Sequence, residues 1–294
     1  MRFDYFEPSS VEEARQLLRE GKGHYRVLAG GTDIILQLRR RVRSYRALVN
    51  VKRLPGLRGW SLTPDGTLRI GAAAPMRELE TSQAVQARFP PLVEAWRLIG
   101  SLQLRNLATV GGNLCNASPA ADSAPPLIAL GATVTFVNDG AEPQTMPVEQ
   151  FFAGPGRSVL GPDGLLLSVD VRAPAGAAGG SFQRFTPRDA MDISIASAAS
   201  WVALDPRSGR IEDVRIALGA VAPTPVRAPQ AEEVVRGHAP TPELLARAGE
   251  VARGECRPID DIRGTAEYRQ ALVPILVRRT LEQAIQRAQR QPAR

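Results

Sequence analysis

Residues Val27-Leu28-Ala29-Gly30-Gly31-Thr32-Asp33-Ile34 read as a strand that runs into paired glycines and then into the start of a helix. Glycine lets backbone N–H groups turn inward at angles other residues resist. A helix start adds unpaired donors and a partial positive charge. Together these make a site suited to a phosphate, to which Thr32 adds a hydroxyl. The same residues also suit a plain strand-to-helix turn with Thr32 or Asp33 as N-cap.

Outward from this stretch, the first fifty-odd residues alternate strand and helix. Phe3 to Phe6, Tyr25 to Ala29 and Ala47 to Val51 read as strands. Ser10 and Glu13 have capping-box spacing, and Val11, Ala14, Leu17 and Leu18 then share one helical face. Ile34 to Arg41 continues as a helix. Pro55-Gly56 marks a boundary. Trp60 to Leu62 and Thr67 to Gly71 flank Pro64-Asp65-Gly66 as a hairpin, and helices are expected over Met76 to Ala87 and Pro91 to Gly100.

A second Gly-Gly segment, Thr109 to Asp122, is small, polar and punctuated between apolar stretches. It reads as a loop. Gly111, Gly112 and Asn113 offer backbone donors, and Ser118 and Asp122 offer polar side chains. Asp122 can accept hydrogen bonds from ribose or ribityl hydroxyls. The competing reading is a structural loop whose Asn and Asp close turns. Two Gly-Gly loops about eighty residues apart point to a pyrophosphate gripped from two sides.

Strands follow at Ala132 to Val137 and Leu165 to Val171. The run Ala173 to Gly180 reads as a linker. Beyond it, Ser181 to Phe185, Ile193 to Leu204 and Ile211 to Val221 read as an antiparallel sheet. Pro242 to Glu255 and Thr265 to Arg290 read as helices, the second with a kink expected at Pro274.

Composition excludes several classes. The chain has 294 residues, 44% hydrophobic and 23% charged, which is ordinary for a globular protein. No apolar run reaches the roughly 18 residues of a membrane helix. The N-terminus lacks the apolar core of a secretory signal, so a cytoplasmic setting is expected. Cys115 and Cys256 cannot alone hold an iron–sulfur cluster, which takes four thiolates, and His24 and His238 stand far apart outside any HExxH context. No metal site is expected. GxGxxG, GxxxxGK[ST] and GxSxG are all absent. The net charge of +7 is almost wholly arginine, with one cluster at Arg39-Arg40-Arg41-Val42-Arg43. Few aromatics accompany it, which argues against a nucleic-acid module.

The pair "VLAGGTDI" and "ATVGGNLCNASPAAD" resembles the FAD-binding medium subunits of the xanthine dehydrogenase and carbon monoxide dehydrogenase family, the molybdenum hydroxylases. The likeness continues through "FAGPGRSVLGPDGLLLSVDV" and "FQRFTPRDAMDISIASAA", and so spans the chain. It implies an α+β fold: an FAD-binding domain of the vanillyl-alcohol-oxidase type with two α/β subdomains, then a C-terminal α+β domain with an antiparallel sheet and helices. The corresponding boundaries are 1–175, with subdomains of about 1–54 and 55–175, and 176–294.

The resemblance also implies a site. Val27, Leu28, Ala29, Gly30, Gly31, Thr32, Asp33 and Ile34 would wrap the FAD diphosphate. Thr109, Gly111, Gly112, Asn113, Ser118 and Asp122 would add diphosphate and ribityl contacts. Ile99 and Gly100 would line the flavin pocket, and Leu166 would pack on the isoalloxazine. Arg184 stands where the family usually has lysine near the cofactor; it keeps the charge but not the shape. No catalytic acid or base is expected in the chain. Substrate would be hydroxylated at molybdopterin in a large subunit. Electrons would pass through [2Fe–2S] clusters of a small subunit to FAD here and on to an external acceptor, in a dimer of heterotrimers. The cysteine-rich insert of some relatives should be missing. The alternative is a stand-alone FAD-dependent oxidase of the same broad fold, with flavin attached through His24 or Cys115.

Overall fold

The computed structural model describes residues 2–138, 140, 142–173, 176–189 and 191–290. Pro174 and Ala175 of the expected linker, and with them the end of the first expected domain, lie outside these.

The chain opens with β1 (Asp4–Phe6), α1 (Val11–Glu20), β2 (Tyr25–Leu28), α2 (Ile34–Arg39) and β3 (Ala47–Asn50). The strands form a parallel sheet in the order β1-β3-β2. The central strand, Ala47-Leu48-Val49-Asn50, is buried throughout, as a parallel strand covered on both faces must be. The Ser10 hydroxyl accepts the Glu13 N–H at 3.1 Å, capping α1. The Glu13 carboxylate reaches back one residue further than a capping box requires, to the Ser9 N–H at 2.7 Å.

The second unit holds β4 (Trp60–Leu62), β5 (Leu68–Gly71), α3 (Met76–Thr81), α4 (Gln83–Arg88), α5 (Pro90–Leu98), α6 (Leu102–Arg105), α7 (Val110–Asn116), α8 (Ala124–Ala129), β6 (Thr133–Val137), β7 (Gln144–Pro147), β8 (Phe152–Gly154), β9 (Arg157–Ser158) and β10 (Leu165–Val171). Its main sheet is antiparallel in the order β4-β5-β10-β6-β7. Phe89, Trp96, Phe136 and Phe151 fill the core beneath it. A second core joins the two units: Ala14 and Leu18 of α1 pack with Val49, Ala73, Val137 and Leu165. The same seam carries a buried ion pair, Arg15 with Asp163 at 3.0 Å.

The third unit is an antiparallel sheet, β11 (Ala178–Phe185), β12 (Ala196–Leu204), β13 (Ile211–Gly219) and β14 (Val226–Arg227), followed by α9 (Pro229–Val235), α10 (Pro242–Gly254) and α11 (Ala266–Arg290). α11 lies along β11 and β12, and α5 and α8 pack against the same sheet.

Four expectations are corrected. The helix expected over Met76 to Ala87 is two, because the Ser82 hydroxyl caps α4 by accepting the Val85 N–H. The linker reading of Ala178 to Gly180 gives way to strand, for a Cβ at Gly179 would lie 2.3 Å from the Ala284 carbonyl oxygen of α11. Close approach of a helix, and not chain flexibility, selects that glycine. The strand expected to begin at Ile193 starts at Ala196. The segment from Thr109 is not a loop as far as Asn116: Thr109 is the N-cap of α7 and accepts the Gly112 N–H at 3.0 Å.

Candidate functional site

The first Gly-Gly stretch leaves the end of β2 and enters α2 within five residues. Gly31 has φ +78°, a left-handed conformation that glycine adopts without strain. Asp33 occupies the N-cap position, but its side chain makes no capping bond. The backbone N–H groups of Ala29, Gly30, Gly31, Thr32, Asp33 and Ile34 have no hydrogen-bond acceptor among the described residues. None of these six residues is buried, and the last of them open a helix, whose first N–H groups have no partner within it, so the run is free to meet a ligand. Such a run at a helix start has the form of an anion cradle.

The neighbouring backbone brings the other motif to this cradle. A Cβ at Gly30 would lie 2.1 Å from the Leu107 carbonyl oxygen and 3.0 Å from the Ala108 Cα. The first loop therefore rests on the two residues that precede Thr109. A Cβ at Gly111 would lie 2.4 Å from the Ala72 carbonyl oxygen, and the Gly111 N–H donates to that oxygen. Gly112 leaves room for the Thr109 hydroxyl that caps α7. One end of the Asn113 amide is buried without a partner. The Ala72 N–H in turn donates to the Leu167 carbonyl, which ties this wall to β10.

Ile99 and Gly100 end α5, just before the turn into α6, and Ile99 packs on the main core. Gly100 has φ +55° and sits against the Leu104 side chain. The Ile99 carbonyl accepts from Arg105, whose guanidinium is paired with Glu80 at 2.8 Å in the interior. Leu107, whose carbonyl meets Gly30, is 58% exposed and leaves apolar surface beside the cradle. Leu166 points into the main core, 5% exposed, opposite Phe136, whereas Leu167 beside the β-bulge stays partly open. Val27 and Leu28 pack their side chains into cores. Their part in the cradle is to aim the backbone that follows.

Asp122 and Arg184 meet each other. They form a buried ion pair that joins the second unit to β11. The Ser194 hydroxyl donates to the other Asp122 oxygen at 2.6 Å. Burial pushes the Asp122 carboxyl up, against the pull of Arg184 and Ser194. One guanidinium nitrogen of Arg184 is buried with no partner. Arg184 is therefore not a lone cation, since its charge is matched by Asp122. Ser118 turns back on its own loop, accepting the Ala120 N–H at 3.3 Å. The Asp33 carboxyl is raised by partial desolvation in the groove, although the residue keeps exposed surface.

Neither of the two residues considered for covalent attachment is favoured for it. Burial pushes the Cys115 thiol up to about 12, so it is not a ready thiolate. His24 is exposed at the start of β2, one four-residue strand away from the cradle.

Glu80, Arg105 and Ser194 belong to this site and are not evident from sequence. Each acts through a partner 25 or more residues away.

An unpaired N–H run, a second loop with a buried orphan amide and glycine-lined walls fit a diphosphate-bearing cofactor. The family model described as "FAD binding domain in molybdopterin dehydrogenase" matches residues 1–174. The chain belongs to the FAD-binding subunits of the molybdenum hydroxylase family. A second model, "CO dehydrogenase flavoprotein C-terminal domain", matches residues 181–284 of this flavoprotein. The flavoprotein is 32% identical over 285 residues to the carbon monoxide dehydrogenase medium chain of Hydrogenophaga pseudoflava, covering 96% of this chain and 97% of that one. It is 31% identical over 282 residues to a xanthine dehydrogenase FAD-binding subunit of Escherichia coli, covering 96% and 95%. A solved carbon monoxide dehydrogenase from H. pseudoflava superposes with a TM-score of 0.93 at 32% identity, over 98% of each chain. The enzyme from Oligotropha carboxidovorans superposes with a TM-score of 0.92 at 28% identity, over 98% and 99%. The flavoprotein is thus an oxidoreductase subunit whose cofactor is FAD. Among the described residues, no helix is long and apolar enough to cross a membrane.

Proposed function

We propose that this flavoprotein is the electron relay of a heteromeric molybdenum hydroxylase in the cytoplasm. A large subunit would carry molybdopterin, a small subunit would carry [2Fe–2S] clusters, and the assembly would be a dimer of heterotrimers. The observation that carries the reading is the run of six unpaired N–H groups from Ala29 to Ile34, set against Leu107 and Ala108 at the mouth of the second Gly-Gly motif. FAD supplies chemistry the side chains lack, since it exchanges electrons singly or in pairs.

The chain's own residues bind and orient. Ala29 to Ile34 offer peptide donors to the diphosphate. Val27 and Leu28 hold that loop from below. Thr109 caps α7 so that Gly111, Gly112 and Asn113 stay at the second wall. Ile99 and Gly100, braced by Arg105 and Glu80, shape the ring end, while Leu166, buried in the main core, would back that wall and not touch the isoalloxazine. Ser118, Asp122 and Arg184 complete the far side, and the Asp122–Arg184 pair locks the C-terminal unit to it. The domain division follows the same logic, 1–175 for the cofactor and 176–294 for the lock. No side chain here is assigned as a general acid or base. The stand-alone oxidase has less support, because burial keeps the Cys115 thiol protonated and His24 stands exposed, one strand away from the cradle.

The test is to co-produce the chain with the large and small subunits and to reduce the iron–sulfur clusters under anaerobic conditions. The relay reading expects flavin absorbance to bleach after cluster reduction in the complex. Flavin that stays oxidised while the clusters are reduced would refute it.

A further inference from the structure

The arginine cluster at the end of α2 plays no part in the cradle. No acidic residue occurs between Asp33 and Asp65, and eight basic residues lie in that interval. Two of them find partners, Arg53 with Glu7 and Arg58 with Glu78. Arg39, Arg40, Arg41, Arg43 and Arg46 are all exposed, and none makes an ion pair or side-chain hydrogen bond among the described residues. Leu36 at 47% and Val42 at 67% exposure sit among them.

The backbone shows that arginine is tolerated here against a local preference. The Val42 N–H donates to the Gln37 carbonyl and the Arg41 N–H to the Leu38 carbonyl, both at 3.0 Å. These are the two bonds of a Schellman helix ending, whose left-handed residue is usually glycine. Here that residue is Arg41, with φ +57°. A cationic side chain occupies the one position in the turn where its absence would relieve strain. Favourable placement at a helix C-terminus accounts for one or two such charges, not for five.

We propose that this face is the docking surface for a separate electron-acceptor protein with an acidic face. The inference rests on the relay reading above. Three features select this occupant. Permanent subunit interfaces are largely apolar, whereas residues 36–46 expose five cations and two aliphatic side chains, a balance suited to weak, electrostatically steered electron-transfer encounters. Arginine forks match carboxylates in pairs of hydrogen bonds. The only aromatic residue between Arg39 and Arg46, Tyr45, packs against a small core, so little is offered there for stacking on bases. The patch also closes the helix whose first turn faces the cradle, about 9 Å away at 1.5 Å per residue.

The test uses the FAD-loaded full-length chain and two forms of one haem protein. Cytochrome c is basic; with its lysines succinylated it is acidic and keeps the same haem. Immobilised succinylated cytochrome c should retain the chain at low salt and release it as salt rises, while native cytochrome c should not retain it. R39E/R40E/R43E should abolish retention. R207E/R247E/R279E, an equal charge change on exposed arginines elsewhere, should leave most of it. R41G should weaken retention yet melt no lower than the parent. In rapid mixing, the reduced flavoprotein should pass electrons to the acidic haem protein at least tenfold faster than to the basic one at low salt, and the R39E/R40E/R43E variant should lose that preference. Equal loss in the two triple variants, or equal rates with the two haem proteins, would overturn the proposal. An uncharged benzoquinone separates the claims. If it oxidises the reduced flavin normally while no acidic preference appears, the docking claim alone fails. If neither the quinone nor either haem protein oxidises the flavin, the relay reading falls and the docking claim falls with it.

Discussion

Replacing Gly30 with alanine tests the cradle at its tightest wall. The new Cβ would lie 2.1 Å from the Leu107 carbonyl oxygen, where ordinary contact begins at 3.4 Å. Both partners are backbone, so no side chain can swing aside, and loop and wall must part by about 1 Å. A shift of that size breaks hydrogen bonds to a bound anion. Bonds to charged groups contribute about 1.5 to 3 kcal/mol each. Losing two of the six available donors would cost about 3 to 6 kcal/mol, or roughly a hundredfold to ten-thousandfold in affinity. Gly31→Ala is the internal comparison. Its nearest contact is 3.3 Å from the flexible Leu28 side chain, so only the strain of φ +78° remains, about 1 to 2 kcal/mol. FAD titration of the apoprotein by fluorescence quenching, with apoprotein melting as a fold control, gives both numbers. A Gly30→Ala protein that folds and binds FAD within threefold of the parent would refute the geometry.

Further outcomes follow from the same contacts. Arg184→Leu leaves the Asp122 carboxylate buried without its partner, and the urea midpoint should fall by the equivalent of about 3 to 5 kcal/mol. Asp122→Leu added to it should recover much of that loss, and flavin reduction should become harder in the single variant if Arg184 acts on the cofactor. Thr109→Ala removes the cap of α7 and should cost about 1 kcal/mol in thermal unfolding, with Thr109→Ser close to the parent. Asp33 titrates above its ordinary value through desolvation. Its favourable contribution is therefore complete in acid, below the ordinary carboxylate pKa, and is lost as pH rises through the raised value. An anion bound beside it raises that value further, by linkage. FAD should then bind more tightly toward the acid end of this window, and Asp33→Asn should flatten the dependence in titrations at stepped pH.

Much of the fold is legible because local rules and tertiary structure agree. The Ser10 cap, the strand from Ala47 and the Pro64-Asp65-Gly66 hairpin follow from periodicity and turn chemistry alone. Two of the misreadings share a cause: small residues chosen for close contact look like flexible ones. Gly179 reads as linker but makes room for α11. Gly111 and Gly112 read as loop but begin a helix pressed against Ala72 and capped by Thr109. The site divides in the same way. The Gly-Gly stretches announce themselves, because backbone donors and helix starts leave a local signature. The supports do not, since Arg105 with Glu80 and Ser194 with Asp122 meet only through the folded chain. Nor does sequence pair Arg184 with Asp122, which turns an expected cation into one half of a buried ion pair.

The most direct test of the account is to count FAD released by acid from the purified complex, in the parent and in Gly30→Ala and Gly111→Ala. The account predicts one equivalent per chain in the parent, freed intact on denaturation, and little in either variant. Flavin that stays attached to the denatured chain, or full occupancy in both variants, would contradict it.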